Sequence, residues 1–472
     1  MVYNLVIPCS GPGSRSASYS KFHKTLLRVG SNAVIDNIIA AFPYAQTVYI
    51  MLGHNHEYIR QYIEHAGYTN VEFIRIDNWE ESQIASLKQI PKHVFETPFY
   101  LNSCDNWAPE VPTATENTVY LCHPDNVDYY DRVNGKGIFA GIGFIKDTLE
   151  FYNALHSTDA VRNDYLVYNQ LQTLNHVMLD NWFDVGNSES YNLTKLSFPD
   201  KFDLLDKHHQ EIYYTNNRIV KLFDKPIHRL KDILISSNSF PHPTPIHFTE
   251  VGLSYEFVNG VTNATGNNYS VVFQNLENLW TYCINNNAII NSKEIWRDKT
   301  VERFDRMISK YPEFSKQISV NGITIDPIRL IENLDWQTIN TGISGPCHGD
   351  LILENIIVTD TGIRYIDHRE GIVTDIFYDI CKFYHNLQLN NINMKHFKLE
   401  NVKSDYSINI DYMFLDRLEK FKQSDIYKNN RKKIELGVGC IWLSMAPLNV
   451  DDNLNRFLFL HSIRQLYNAS KL

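Results

Sequence analysis

No C-x-x-C pair occurs in the 472 residues, and the seven cysteines (Cys9, Cys104, Cys122, Cys283, Cys347, Cys381 and Cys440) lie far apart. That scatter matches neither a zinc site nor a disulfide framework, and it points to a reduced cytoplasm. No apolar run approaches the ~20 residues of a membrane-spanning helix, and no basic stretch precedes an apolar one at the start, where Met1 leads straight into VYNLVIP. A soluble, cytoplasmic chain without membrane insertion is expected. Positive charge is in deficit: 44 Lys and Arg against 54 Asp and Glu give a net charge of −10. A protein that gains affinity by neutralising a phosphate backbone carries the opposite balance, so nucleic acid is a poor partner. Repeats with a period of about 20 to 50 residues are missing too, which excludes a solenoid.

The length calls for two to four domains at roughly 100–200 residues each. With 43% hydrophobic and 21% charged residues, the composition can fill sizeable cores. From Tyr3 to about Ile76 the sequence reads strand (YNLVIP), Gly-rich turn, helix (AVIDNIIAAF), strand (TVYIML), helix (EYIRQYIEHAG) and strand (VEFIRI). Alternation of this kind predicts an α/β domain with a mostly parallel, Rossmann-like sheet. PFYLNSCD, TVYLCHP and GIFAGIGFI read as further strands, and WFDVGNSESYNLTKL as a strand end turning into a helix. The polar stretch SFPDKFDLLDKHHQ then sets a boundary at residue 200, giving domains 1–200 and 201–472. IYYTNNRIVKLF reads as an antiparallel strand pair, followed by short strands, a compact strand-rich region around 347–368, and helices.

Two constellations carry chemistry. In the first, GPGSR at 11–15 follows the first strand, with Lys21 and Lys24 beyond it. Glycines let the backbone approach a phosphate, and Arg and Lys offset its charge, although an ordinary strand-to-helix turn reads the same way. Asp105 closes the FYLNSCD strand and Asp184 closes another in WFDVG. Meeting at one sheet edge, they would suit a divalent cation held by hard oxygen ligands. The alternative for Asp184 is that it caps the helix beginning near Ser188. Together GPGSR, HKTLL, Asp105 and DVGNSESY resemble the nucleotidyltransferases that activate sugar phosphates or phosphocholine, over about residues 1–196. The resemblance implies NTP binding by Gly11, Gly13 and Ser14, phosphate contacts by Arg15 and Lys24 as catalytic groups, and Mg²⁺ on Asp105 and Asp184. CTP is expected before UTP. Gln83 stands where relatives contact the base, and a solvated helix-start residue is an equal reading.

In the second constellation, HGDLILEN at 348–355 precedes YIDH at 365–368, with TDTG between two apolar strands. Phosphoryl transfer needs a carboxylate that orients or deprotonates the acceptor hydroxyl, an amide oxygen for one metal, and a second carboxylate for metal beneath the triphosphate. Asp350, Asn355 and Asp367 supply these in order. The stretch resembles the aminoglycoside phosphotransferase and choline kinase family, over about residues 205–472. That implies a two-lobed, α+β, protein-kinase-like domain with Asp350 as base, Asn355 and Asp367 as Mg²⁺ ligands, Lys221 of RIVKLF on the α/β-phosphates, and YEFVNG at 255–260 as the interlobe hinge. Asp379 reads as a brace for the loop and His348 as structural. Two phosphate-handling sites in this order imply a bifunctional enzyme. ATP would phosphorylate a small hydroxyl compound (sugar, polyol or amino alcohol), and a nucleotidyl group would then join that phosphate to make an activated precursor for cell-surface glycan such as capsule polysaccharide. The alternatives are one catalytic domain with a regulatory partner, or a nucleotide-sensing scaffold.

Overall fold

The computed structural model describes residues 2–472 apart from 124–131, 134–135, 160–163, 202–208, 370–373, 390–396, 403–404, 411 and 450. The chain divides into two compact units, Met1–Ile227 with Thr244–Phe257, and His228–Pro243 with Val258–Leu472.

The first unit is built on seven main strands, β1 (Tyr3–Cys9), β2 (Ala45–Leu52), β3 (Val71–Arg75), β4 (Phe99–Asn102), β5 (Thr118–Cys122), β6 (Gly137–Ile145) and β7 (Asn175–Met178), in the spatial order β7-β5-β6-β4-β1-β2-β3. The β1–β2, β1–β4, β2–β3 and β5–β7 pairings are parallel, while β6 runs antiparallel to β4 and β5. The sheet is therefore mostly parallel, as the alternation predicts. Its inner strands are largely apolar because both faces are covered, whereas the edge strands β3 and β7 carry the exposed Glu72, Arg75 and Asn175. In β1, Leu5, Ile7 and Cys9 enter one core and Val6 the other; in β2, Val48, Ile50 and Leu52 are opposed by Tyr49 and Met51. Helix Val34–Ala40 and helix His56–Ala66 connect the parallel strands, and Gly67 ends the second in the left-handed conformation.

A second, antiparallel sheet belongs to this same unit: β8 (Gln210–Thr215), β9 (Arg218–Phe223), β10 (Ile246–Phe248) and β11 (Gly252–Glu256), in the order β8-β9-β11-β10. The predicted strand pair is β8–β9, closed by Asn216 and Asn217 with φ of 47° and 58°. Two positive φ values are what a tight hairpin turn requires, and Asn tolerates them. The boundary expected at residue 200 falls inside this compact unit. Tyr213, Val220 and Leu222 complete the core that holds Leu26, Val29 and Tyr62, and the Tyr213 hydroxyl donates to the Leu26 carbonyl at 2.7 Å. A polar linker marks a chain passage there, not the edge of a core.

The second unit combines helices Tyr269–Asn286, Lys299–Lys310, Ile376–Gln388, Asp425–Met445 and Asp452–Ser470 with small sheets, an α+β composition. Trp280, Trp296, Phe383, Trp442 and Phe459 are among its core residues. Strands Ile356–Thr359 and Gly362–Tyr365 form the antiparallel pair predicted around TDTG. Among the described residues no helix is long and apolar enough to cross a membrane.

Candidate active sites

Behind β1 the chain turns through GPGSR. Gly13 takes φ +61°, a conformation a Cβ would strain, and the Ser16 hydroxyl donates to its carbonyl at 2.8 Å. This turn lines a cleft of about 520 Å³ together with Lys24, Ser82, Gln83, Asp105 and Trp79. Gly11, Gly13, Ser14 and Arg15 all face it. His23, which the motif reading passes over, ties the turn down. Its Nδ1 accepts from the Thr25 amide at 3.2 Å, which leaves the proton on Nε2 to donate to the Gly11 carbonyl at 3.1 Å. Burial and the neighbouring Lys24 push its pKa down to about 3, so the ring is neutral.

Asp105 does not end a strand as expected. β4 stops at Asn102, and Asp105 lies in the turn before a two-residue strand, Asn106–Trp107. That short strand pairs with Phe183–Asp184, and the Val185 amide donates to the Asp105 carbonyl at 2.8 Å, so the two aspartates meet. A Cβ on Gly186 would lie 3.1 Å from Oδ1 of Asp184 and 3.3 Å from Oδ2 of Asp105. Asp184 is not the helix cap. Asn187 caps Ser188–Ser197, accepting from the Ser190 amide at 2.9 Å. Lys24 reaches Asp105 with Nζ 2.6 Å from Oδ2. Burial opposes charge on both partners, but the pairing more than offsets it, holding the Asp105 carboxyl below and the Lys24 ammonium above their ordinary ranges. Tyr19, packed on Tyr191 and donating to the Val185 carbonyl at 2.9 Å, is pushed up to about 12 by burial and by Asp184 and Asp105.

In the second unit, Gly349 takes φ +81° and lets HGDLILEN turn sharply. Both carboxylate oxygens of Asp379 accept loop amides, from His348 at 2.6 Å and Gly349 at 2.9 Å, which is the brace the sequence predicts. His348 accepts from the Asp350 amide on Nδ1 at 3.3 Å and donates from Nε2 to the Ile366 carbonyl at 2.9 Å; burial lowers its pKa to about 4, consistent with a structural ring. The Asn355 amide nitrogen donates to the Asp350 carbonyl at 2.9 Å, and the Ile366 amide donates to the Asn355 carbonyl at 3.0 Å. These bonds place Asp350, Asn355 and Asp367 in one neighbourhood, with Asp367 at a φ of +62°. Lys382 pairs with Asp350, Nζ to Oδ1 at 2.9 Å, and outweighs the effect of burial, so the Asp350 pKa falls below its ordinary value. Lys221 lies in the first unit, buried on β9 with its ammonium 5.8 Å from the centre of the Tyr255 ring.

Among the described residues no cluster of three or more His, Cys, Asp and Glu side chains is arranged to hold a metal ion. Paired carboxylates still fit Mg²⁺, which retains waters and substrate phosphates as its remaining ligands.

No family model matches the chain, and no curated protein matches it. Solved structures similar to its N-terminal part include the nucleoside-diphosphate-sugar pyrophosphorylase from Vibrio cholerae RC9, at 12% identity and a TM-score of 0.35, covering 41% of this chain and 99% of that one. The CTP:phosphocholine cytidylyltransferase from Streptococcus pneumoniae aligns at 15% identity and a TM-score of 0.36, covering 42% and 99%. The inositol-1-phosphate CTP transferase from T. maritima aligns at 11% identity and 0.35, covering 43% and 98%.

Proposed function

We propose that the chain is a bifunctional enzyme. Its second site phosphorylates a small hydroxyl compound with ATP, and its first transfers a nucleotidyl group, CMP before UMP, to the resulting phosphate. The observation that supports this reading best is that Asp105, which meets Asp184 at Gly186 and pairs with Lys24, lines one cleft with Lys24 and the Gly13 turn. A cleft of this size suits a nucleotide. A scaffold that senses nucleotide has no need of a second constellation with a hydroxyl-facing carboxylate.

In the first site an oxygen of the phosphate ester attacks the α-phosphorus of the NTP. A bond to that oxygen forms, the α–β bridging bond breaks, and pyrophosphate leaves. Turn amides and Arg15 orient the triphosphate, and Lys24 offsets its charge. In the second site the acceptor hydroxyl oxygen attacks the γ-phosphorus, the β–γ bridging bond breaks, ADP leaves, and Asp350 orients the hydroxyl and takes its proton. Asp105 with Asp184, and Asn355 with Asp367, would hold Mg²⁺, which when bound adds positive charge at the phosphates. The product belongs with activated precursors of cell-surface glycan.

The test is separability. With ATP, CTP and Mg²⁺ supplied, Asp350→Asn should abolish ADP formation and retain pyrophosphate release from a supplied phosphate ester. Asp184→Asn should do the reverse, cutting pyrophosphate release by about 100-fold or more while Tm barely moves. Loss of both activities in a folded single variant would refute the two-site reading.

A further inference from the structure

Beside Asp350 lies a group of cations that the phosphoryl-transfer roles leave unused. The Tyr378 hydroxyl oxygen accepts from Arg369 Nη1 at 2.9 Å and from Lys299 Nζ at 3.3 Å, and its ring packs against Trp296. Lys299 also lies 5.3 Å from the centre of that ring. One helix turn on, Lys382 holds Asp350. Three cations therefore surround one carboxylate and one phenol. Asp350 neutralises Lys382, and Asp379 commits both oxygens to backbone amides. Among the described residues no carboxylate lies within ion-pairing distance of Lys299 or Arg369.

Two cations directed at a neutral phenol keep most of their hydrogen-bonding capacity for something else. Since the phenol oxygen accepts from both, its own proton remains to donate. The group is reachable: the Asp350 side chain is 32% exposed, and Arg369 reaches solvent. The local field is positive enough to show in the titrating groups. Burial should raise Tyr378, yet Lys382, Arg369 and Lys299 bring it below its ordinary value. Lys299 is in turn lowered, by burial first and then by repulsion from Arg369 and Lys382. A cationic amino alcohol or aminoglycoside would be repelled at this point.

We propose, building on the phosphoryl-transfer reading, that the acceptor alcohol carries an anionic group, a carboxylate or a phosphate, held by Lys299, Arg369 and the Tyr378 hydroxyl while its own hydroxyl faces Asp350. Cationic donors paired to an anion out of bulk water are worth roughly 10- to 100-fold in affinity.

The experiment measures ADP formation by the full chain with Mg²⁺ and ATP, offering glycerate, glycerol 3-phosphate, glycerol and ethanolamine as matched acceptors. One of the two anions should exceed glycerol and ethanolamine in kcat/KM by about tenfold or more, and which one does so separates carboxylate from phosphate. For that anion, Lys299→Met should raise KM about tenfold with a much smaller fall in kcat, and Lys299→Arg should restore most of the affinity. Preference for glycerol or ethanolamine over both anions, or an unchanged KM in Lys299→Met, overturns the anionic acceptor and leaves phosphoryl transfer standing. ADP no greater than from Asp350→Asn with every acceptor overturns phosphoryl transfer, and this inference with it.

Discussion

Buried beneath the Gly-rich turn, His23 keeps one proton across the whole physiological range, because its pKa near 3 lies far below any working pH. Its contribution is a fixed hydrogen bond to Gly11, and with it the position of the turn's amides. Replacing it, His23→Ala, should raise KM for the nucleotide about fivefold, the worth of one hydrogen bond, with kcat nearly constant between pH 6 and 8. Steady-state pyrophosphate release against CTP concentration checks this. In the sequence, Gly11, Gly13, Lys24 and the two aspartates were visible because glycine and charge at a strand end are unusual. His23 and Tyr19 were not, since a histidine or tyrosine beside apolar residues reads as ordinary core until its partners are known. Asp184 reads in the sequence as either metal ligand or helix cap, and Asn187, a better-placed cap three residues on, removes the second reading.

Helix Ile376–Gln388 is buried along its whole length, yet one stripe of it is polar. Asp379 holds the His348 and Gly349 amides, Lys382 holds the Asp350 carboxylate, and Asn386 accepts from the Leu353 amide at 2.9 Å. Spacings of three and four keep those side chains on a single face, so the helix grips the loop at successive points. In the sequence Asp379 reads as a brace, whereas Lys382 and Asn386 carry no signal, because nothing there tells which loop this helix meets. Lys382 keeps Asp350 more acidic than an ordinary carboxyl although the carboxyl is partly buried. Removing the ammonium in Lys382→Met takes away the largest lowering influence while the desolvation stays, so the Asp350 pKa rises. A base must be ionised to act, and the acid limb of the phosphoryl-transfer rate should therefore move to higher pH. A pH–kcat/KM profile with the limb unmoved, or moved toward acid, would show that Lys382 does not set the ionisation of Asp350.

At the scale of the molecule, periodicity locates the elements from Tyr3 to Ile76 and the two hairpins but not β7, β10, β11 or helix Thr148–Ser157, and the edge of the first unit lies some distance beyond the polar linker at residue 200. Cores are closed by contacts remote in sequence, and Tyr213, Val220 and Leu222 join one whose other members precede residue 186. Burying three such side chains contributes on the order of 5 kcal/mol. Residues 1–200 alone should accordingly aggregate or melt early, whereas residues 1–227 joined by a short Gly-Ser linker to 244–257 should stay monodisperse and release pyrophosphate. Size-exclusion chromatography and thermal melts decide, and equal behaviour of the two would make the second sheet dispensable. The chain crosses between its units after Ile227, Pro243 and Phe257. A protease that nicks it once, at any of these crossings, frees neither unit. The severed piece still carries β11 hydrogen-bonded beside β9, or Phe240 seated in the other unit's core. By the same interleaving no single recombination breakpoint parts the units cleanly: a break after Ile227 or after Phe257 passes on one unit whole only with a strip of the other attached, so the two are inherited cleanly only together.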